Sequence, residues 1–288
     1  SAMQMYDQAL SLYEQMLTYY PDDMETSLFI GALYAEKGEF KKSISHFRKM
    51  VRNDKIKDKS QAWYYLGRVY SSKPEPEYRN AETAFVTSLK LKPESVDVVL
   101  ALGAIYEKQD QRAKLIRLYN DFQNENGTDH VISEKLAQIY LDEDKLDAAI
   151  EQLKIVESFD HQNLNISLKI ALVMIEQKKY NPAIQKLEGI LQKYPESEKV
   201  RFYLGALYEE VKDYRAAIQQ FDSIEFGSTY YEDSVMHSSY LHKLMGNMDE
   251  AIASVKKGLK HKKDSPKFWI LHASLLDENN QVSEAQNV

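Results

Sequence analysis

The apolar positions of this chain recur with a period of 34 residues. Small side chains stand at Gly31, Gly67, Gly103, Ala137, Ala171, Gly205, Ser239 and Ala273, at steps of 36, 36 and then five times 34 residues. Three places after each comes an aromatic or bulky residue: Tyr34, Tyr70, Tyr106, Tyr140, Met174, Tyr208, His242 and Leu276. Twelve places after it comes a second small residue: Ser43, Ala149, Ala183, Ala217, Ala251 and Ala285, with Ala81 two places late and Leu115 the one misfit. Four residues further on lies Phe47, Phe85, Tyr119, Leu153, Leu187, Phe221 or Val255. Spacings of three and four within each unit predict two amphipathic helices. The small residues let the two axes approach, and the large residues fill the notch so formed.

The turn residues predict where these helices stop and start. Gly38 and Gly246 fall where a first helix ends in a left-handed residue. Asp147, Asn181, Asp249 and Ser283 fall where a second helix takes an N-cap, with Pro182 at the first helical position. Pro21, Pro93 and Pro195 close second helices in the same register.

The unit Trp63-Leu66-Gly67-Tyr70-Ala81-Phe85-Ser88-Pro93 resembles the tetratricopeptide repeat, and the resemblance extends over essentially the whole chain. Residues 1–3 (Ser1-Ala2-Met3) read as a remnant of tag removal and 4–23 as the second helix of a truncated repeat. Seven full units then occupy 24–59, 60–95, 96–129, 130–163, 164–197, 198–231 and 232–265, and 266–288 is an incomplete last unit. A register that starts and stops in mid-unit, without polar capping helices, leads us to expect further repeats at one or both ends. The resemblance implies an all-α fold, a right-handed α-solenoid of stacked antiparallel helix-turn-helix units, and it points to a bacterial protein.

Composition narrows the function. The 37 basic and 44 acidic residues are spread along the chain and give a net charge of −7, so no basic stripe marks a nucleic-acid partner. No run of 18 apolar residues predicts a membrane span. Cysteine is absent, which excludes disulfides, thiol nucleophiles and cysteine-based zinc sites from this segment. The same absence favours the periplasm over the cytoplasm. Phosphate loops, a serine elbow and a metalloprotease His-Glu pair are all missing, so no catalytic residue, metal or cofactor is assigned. His242 and His272 could meet as metal ligands, but both fall at packing places and read first as buried polar core residues.

The resemblance implies that first helices line a concave groove through their second, fifth, ninth and twelfth places. The charged clamp with which some members hold a C-terminal carboxylate is replaced here by Leu28-Ala32, Tyr64-Arg68 and Leu100-Ala104. Candidate groove residues are Tyr64, Arg68, Leu100, Leu168, Leu172, Ile175, Phe202, Met236 and Tyr240. Such a wall suits a protein or peptide partner with an apolar or amphipathic segment. Other readings are binding on the convex face or an edge, and packing without any ligand. Further alternatives are the substrate-recruiting part of an enzyme such as a glycosyltransferase, or a peptide-sensing regulator. The loop from Ser71 to Glu77 is two residues longer than the family spacing and reads as a tolerated insertion.

Overall fold

The computed structural model of the protein describes residues 2–281, with side chains from Met5 onward. All regular structure among them is helical. The helices are α1 (Ala2–Tyr19), α2 (Met24–Glu36), α3 (Phe40–Arg52), α4 (Ser60–Ser72), α5 (Tyr78–Leu91), α6 (Val96–Lys108), α7 (Arg112–Asn126) and α8 (His130–Asp142). They continue as α9 (Leu146–Phe159), α10 (Leu164–Glu176), α11 (Tyr180–Lys193), α12 (Glu198–Glu210), α13 (Tyr214–Asp222), α14 (Tyr231–Leu244), α15 (Met248–His261) and α16 (Pro266–Glu278). The chain divides into two units, residues 1–139 and 140–288, and α8 crosses that division.

Within the first unit, α2 with α3, α4 with α5, and α6 with α7 form hairpins, and each hairpin packs against the next. The second unit stacks α10 with α11, α12 with α13, and α14 with α15 in the same manner, followed by α16. The small residues do what close packing requires. A Cβ added at Gly67 would lie 2.7 Å from two ring carbons of Phe85, and one at Gly205 would lie 2.8 Å from Phe221. Gly31 meets Phe47 and Gly103 meets Tyr119 in the same way. Where the small residue is Ala171, its partner Leu187 is aliphatic, and both are fully buried in one core cluster. Ser239 and Val255, at the same spacing, are also fully buried. Glycine is thus paired with a ring, and alanine or serine with a branched aliphatic chain. Leu115, the exception to the small residues, is buried too.

The turns inside the hairpins share one backbone device. Gly38 and Gly246 have φ of 76° and 79°, and the equivalent Asp110, Asp144, Lys178, Lys212 and Asn280 adopt φ between 53° and 64°. The next residue returns its N–H to a carbonyl five places back, as in Glu39 N–H to Tyr34 at 2.8 Å and Lys179 N–H to Met174 at 2.9 Å. This is the Schellman closure of a helix C-terminus. In the longer turn of α4 and α5 the equivalent bond survives, from Glu77 N–H to the Tyr70 carbonyl at 2.8 Å.

That device corrects the caps expected from sequence. α9, α11 and α15 are capped by Lys145, Lys179 and Asn247, so Asp147, Asn181 and Asp249 lie inside the first turn. The residue that closes one helix also opens the next, and the backbone sets its place whatever its side chain. Pro182 is the third residue of α11, still among the positions whose N–H has no intrahelical partner. Asp147 instead reaches the following hairpin, accepting from Lys179 at 2.6 Å and Gln177 at 3.0 Å. Ser283 and Ala285 lie outside the described residues.

Candidate functional site

The candidate face is built by the first helix of each hairpin, whose second, fifth, ninth and twelfth residues fall on one side. In the second unit neighbouring first helices are joined by side-chain contacts. Lys267 on α16 pairs with Asp233 on α14 at 3.1 Å, two second-place residues. Lys243 on α14 pairs with Glu278 at 2.6 Å. Glu209 on α12 lies 2.7 Å from Nδ1 of His237 on α14. Such exposed pairs fix register more than they add stability.

The sequence-assigned residues fall into three groups. Leu168 is only 4% exposed and belongs to the core formed with Ala183, Leu187, Val200 and Leu204, so its side chain serves packing. Phe202 is the hub of an aromatic cluster, with ring centroids 5.1 Å from Tyr230, 5.7 Å from Phe221 and 6.0 Å from His237. Only part of its ring reaches solvent. Leu172, Ile175 and Met236 are half-buried over the same cores, and Tyr240 is 47% exposed. In the first unit Leu100 is half-buried, and Tyr64 packs on Tyr65 and Phe85. The exposed guanidinium of Arg68 lies 5.9 Å from the centroids of both Tyr64 and Tyr65, a cation–π arrangement that holds the two rings in place. Burial raises the Tyr64 phenol above its usual range, against the nearby Arg68 charge.

Sequence reasoning did not foresee three features. The tyrosine after the small residue ties its helix to the preceding second helix: Tyr34 donates to Glu14 at 3.0 Å and Tyr208 to Glu188 at 2.5 Å. The signal was present, since both pairs lie 20 residues apart. Burial and then the hydrogen bond to Glu188 push the Tyr208 phenol up to about 12. Tyr106, which donates to Glu82, is pushed to about 12 for the same reasons. The second feature is an open cavity of about 450 Å³ between α5, α6 and α7, floored by Val99, Leu102, Leu118 and Phe122 with Lys90 and Arg117 at its mouth. The third is the involvement of His237 and Tyr230 in the Phe202 cluster.

His272 is buried on α16 and His242 is half-buried on α14, and no group of three or more side chains that could hold a metal ion occurs among the described residues. No described helix is long and apolar enough to cross a membrane.

Repeated helix hairpins, each packed on the next within its unit, define the class of all-α helical-repeat solenoids. Two family models, each described as a tetratricopeptide repeat, match residues 2–56 and 167–197. Tetratricopeptide repeats are thus matched in each of the two units of the chain. Its structure is similar to that in "Structure of Naa15/Naa10 bound to HypK-THB", with a TM-score of 0.64 at 12% identity over 88% of this chain. The chain spans 39% of the length of that neighbour, and the likeness is one of fold. A tetratricopeptide repeat protein from Parabacteroides merdae is 11% identical, with a TM-score of 0.45 over 88% of this chain and 98% of its own. YrrB, a TPR protein described as having an unusual peptide-binding site, is 12% identical, with a TM-score of 0.48 over 69% of this chain and 99% of its own. No curated protein matches the sequence at a significant level. Tetratricopeptide arrays are in general non-catalytic scaffolds for protein–protein interaction.

Proposed function

We propose that the chain is a non-catalytic scaffold that captures an apolar or amphipathic segment of a partner protein on its first-helix face. The observation that carries this reading is the surface around Leu172, Ile175 and Tyr240. These side chains keep accessible apolar area, as do Phe202 and Met236 in part, and the charged residues Lys199, Glu209 and Lys243 lie on α12 and α14 with them. An apolar strip with charges at intervals buries one face of a peptide and fixes its register. In the first unit Tyr64, Arg68 and Leu100 form a smaller surface of the same kind. Leu168 supports the strip from beneath.

The test is selection of peptides from a random displayed library on the full chain, followed by calorimetry with the selected peptide. Replacing Leu172 and Ile175 by Glu and Tyr240 by Ala should weaken binding at least about tenfold, the loss of roughly one well-buried anchor. Circular dichroism and melting should stay near those of the parent. Unchanged affinity in the triple variant sinks the proposal.

A further inference from the structure

The seams between successive second helices are equivalent places, yet they are closed in different ways. Between α9 and α11 the seam is bridged by charge. Lys186 of α11 reaches both carboxylate oxygens of Glu157 of α9 at 2.6 Å, and Ser167 of α10 donates to the same carboxylate. Between α11 and α13 the bridge is Arg201 of α12, which donates to the Pro195 carbonyl at 2.7 Å and to the Gln220 side chain at 3.4 Å. Two repeats earlier in the chain, Leu89, Val99 and Leu118 stand at the places of Glu157, Ser167 and Lys186. These three side chains have no polar atom with which to bridge α5 and α7. Their seam stays open as the cavity of about 450 Å³, against about 220 Å³ between α9 and α11.

The cavity is a slot with two closed ends. At one end Tyr106 donates to Glu82 at 3.0 Å, and Lys114 lies 3.5 Å from the same carboxylate. At the other the Asn126 side chain donates to the Pro93 carbonyl at 3.4 Å. Between these ends α5 rises by about 14 Å from Glu82 to Leu91, some two and a half turns. The floor is Val99 and Leu102, each 1% exposed, while Val86, Leu89 and Leu118 on the walls keep accessible apolar area. The rims carry opposite charges. Arg117 pairs with Asp121 within α7 at 3.3 Å. Lys90 on α5 and Glu125 on α7 are exposed and make no ion pair among the described residues. A small organic anion would be drawn by cations alone, whereas rims of both signs match a segment that carries both signs itself.

We propose that the slot between α5 and α7 is a second binding site, which takes a short amphipathic helix of a partner protein. The helix lays apolar residues one turn apart over Val99 and Leu102, and the length of the slot admits two or three of them. An acidic residue on its α5 side faces Lys90, and a basic residue on its α7 side faces Glu125. The site shares no residue with the first-helix surface of Tyr64, Arg68 and Leu100, so one chain can hold a partner at each.

The test is selection on the full chain from a displayed library of helical peptides about 15 residues long, with an apolar stripe fixed and both flanks randomised. Selected helices should carry acidic residues on one flank and basic residues on the other. Leu89→Glu, Val99→Ser and Leu118→Lys together transplant the bridge of α9 and α11 into the slot. Since this chain already folds around that trio, helicity should persist while binding falls at least about tenfold. If the triple variant loses helicity, Leu118→Lys alone, at a half-buried place, serves the same comparison. Lys90→Glu combined with Glu125→Lys should weaken a selected helix about threefold, and exchanging the flank charges of the helix should restore it. Replacing Leu172, Ile175 and Tyr240 should leave this binding unchanged. Full affinity for the bridged variant overturns the proposal, as does a library whose helices are lost only with the Leu172, Ile175 and Tyr240 changes, or one that yields no binder. Methyl NMR shifts of Leu89, Val99 and Leu118 on adding decanoate, but not a selected helix, would assign the slot to a small amphiphile and overturn it too.

Discussion

Gly67→Ala isolates the close approach on which each hairpin depends. The new Cβ would lie 2.7 Å from Cδ1 and Cε1 of Phe85 and 3.0 Å from Cζ, about 1 Å inside favourable carbon–carbon separation. Phe85 is fully enclosed and its ring also abuts Tyr64, so it has little room to withdraw. Overpacking of this kind costs about 1–3 kcal/mol, and the better helix propensity of Ala over Gly returns about 1 kcal/mol. A net loss of up to about 2 kcal/mol follows. Phe85→Leu alone leaves a cavity and costs on the order of 1–2 kcal/mol. Together the two changes recreate the Ala171–Leu187 arrangement, so the double variant should fall short of the summed losses by at least about 1 kcal/mol, a coupling typical of residues in contact. Repeat arrays can unfold in parts, so urea unfolding should be paired with hydrogen exchange across α4 and α5. Strictly additive losses would refute the size-pairing argument, and so would a Gly67→Ala chain more stable than the parent.

Lys178 and Lys212 hold left-handed turns at φ of 58° and 64° without being glycine. Replacing either with Gly should raise stability by about 0.5–1 kcal/mol, visible as a melting shift of a few degrees, while Gly38→Ala should lower it. Tyr106, Tyr119 and Tyr208 have phenols pushed up to about 12, in each case chiefly by burial. Below pH about 10 these phenols are protonated in both folded and unfolded chains, and their contribution to stability is complete. Between about 10 and 12 the unfolded chain ionises first, so stability should fall across that window, as followed by near-ultraviolet absorbance during alkaline titration. A chain whose stability is flat to pH 12 would contradict the buried placement of these tyrosines.

The repeat was legible because it rests on local size: a small residue is needed wherever two helices nearly touch, whatever surrounds them. Gly38 and Gly246 were legible for a similar reason, since a left-handed backbone selects for glycine. The start of the second helices was not. A search for Asp, Asn or Ser caps passed over Lys145 and Lys179, whose position is set by a hydrogen bond from the backbone and leaves no trace in the side chain. The candidate face was legible only in part. Leu168 and Leu172 share a residue type and a helix, but α11 and α12 cover the first more completely, and that depends on neighbours many residues away. The aromatic cluster around Phe202 likewise draws on Tyr230, just ahead of α14, a place outside any repeat signature.

The turn between α4 and α5 shows how this chain absorbs added length. Two extra residues enter between Ser72 and Glu77, yet the bond from Glu77 N–H to the Tyr70 carbonyl persists and Lys73 pairs with Glu77 across the turn. The hairpin beyond it keeps its buried Ala81 and Phe85. Extra residues here are held as a bulge outside the stack and do not propagate as a shift in phase. The segment around Pro74 to Pro76 is therefore the place to insert a reporter peptide or a small tethered domain without disturbing the order of the repeats.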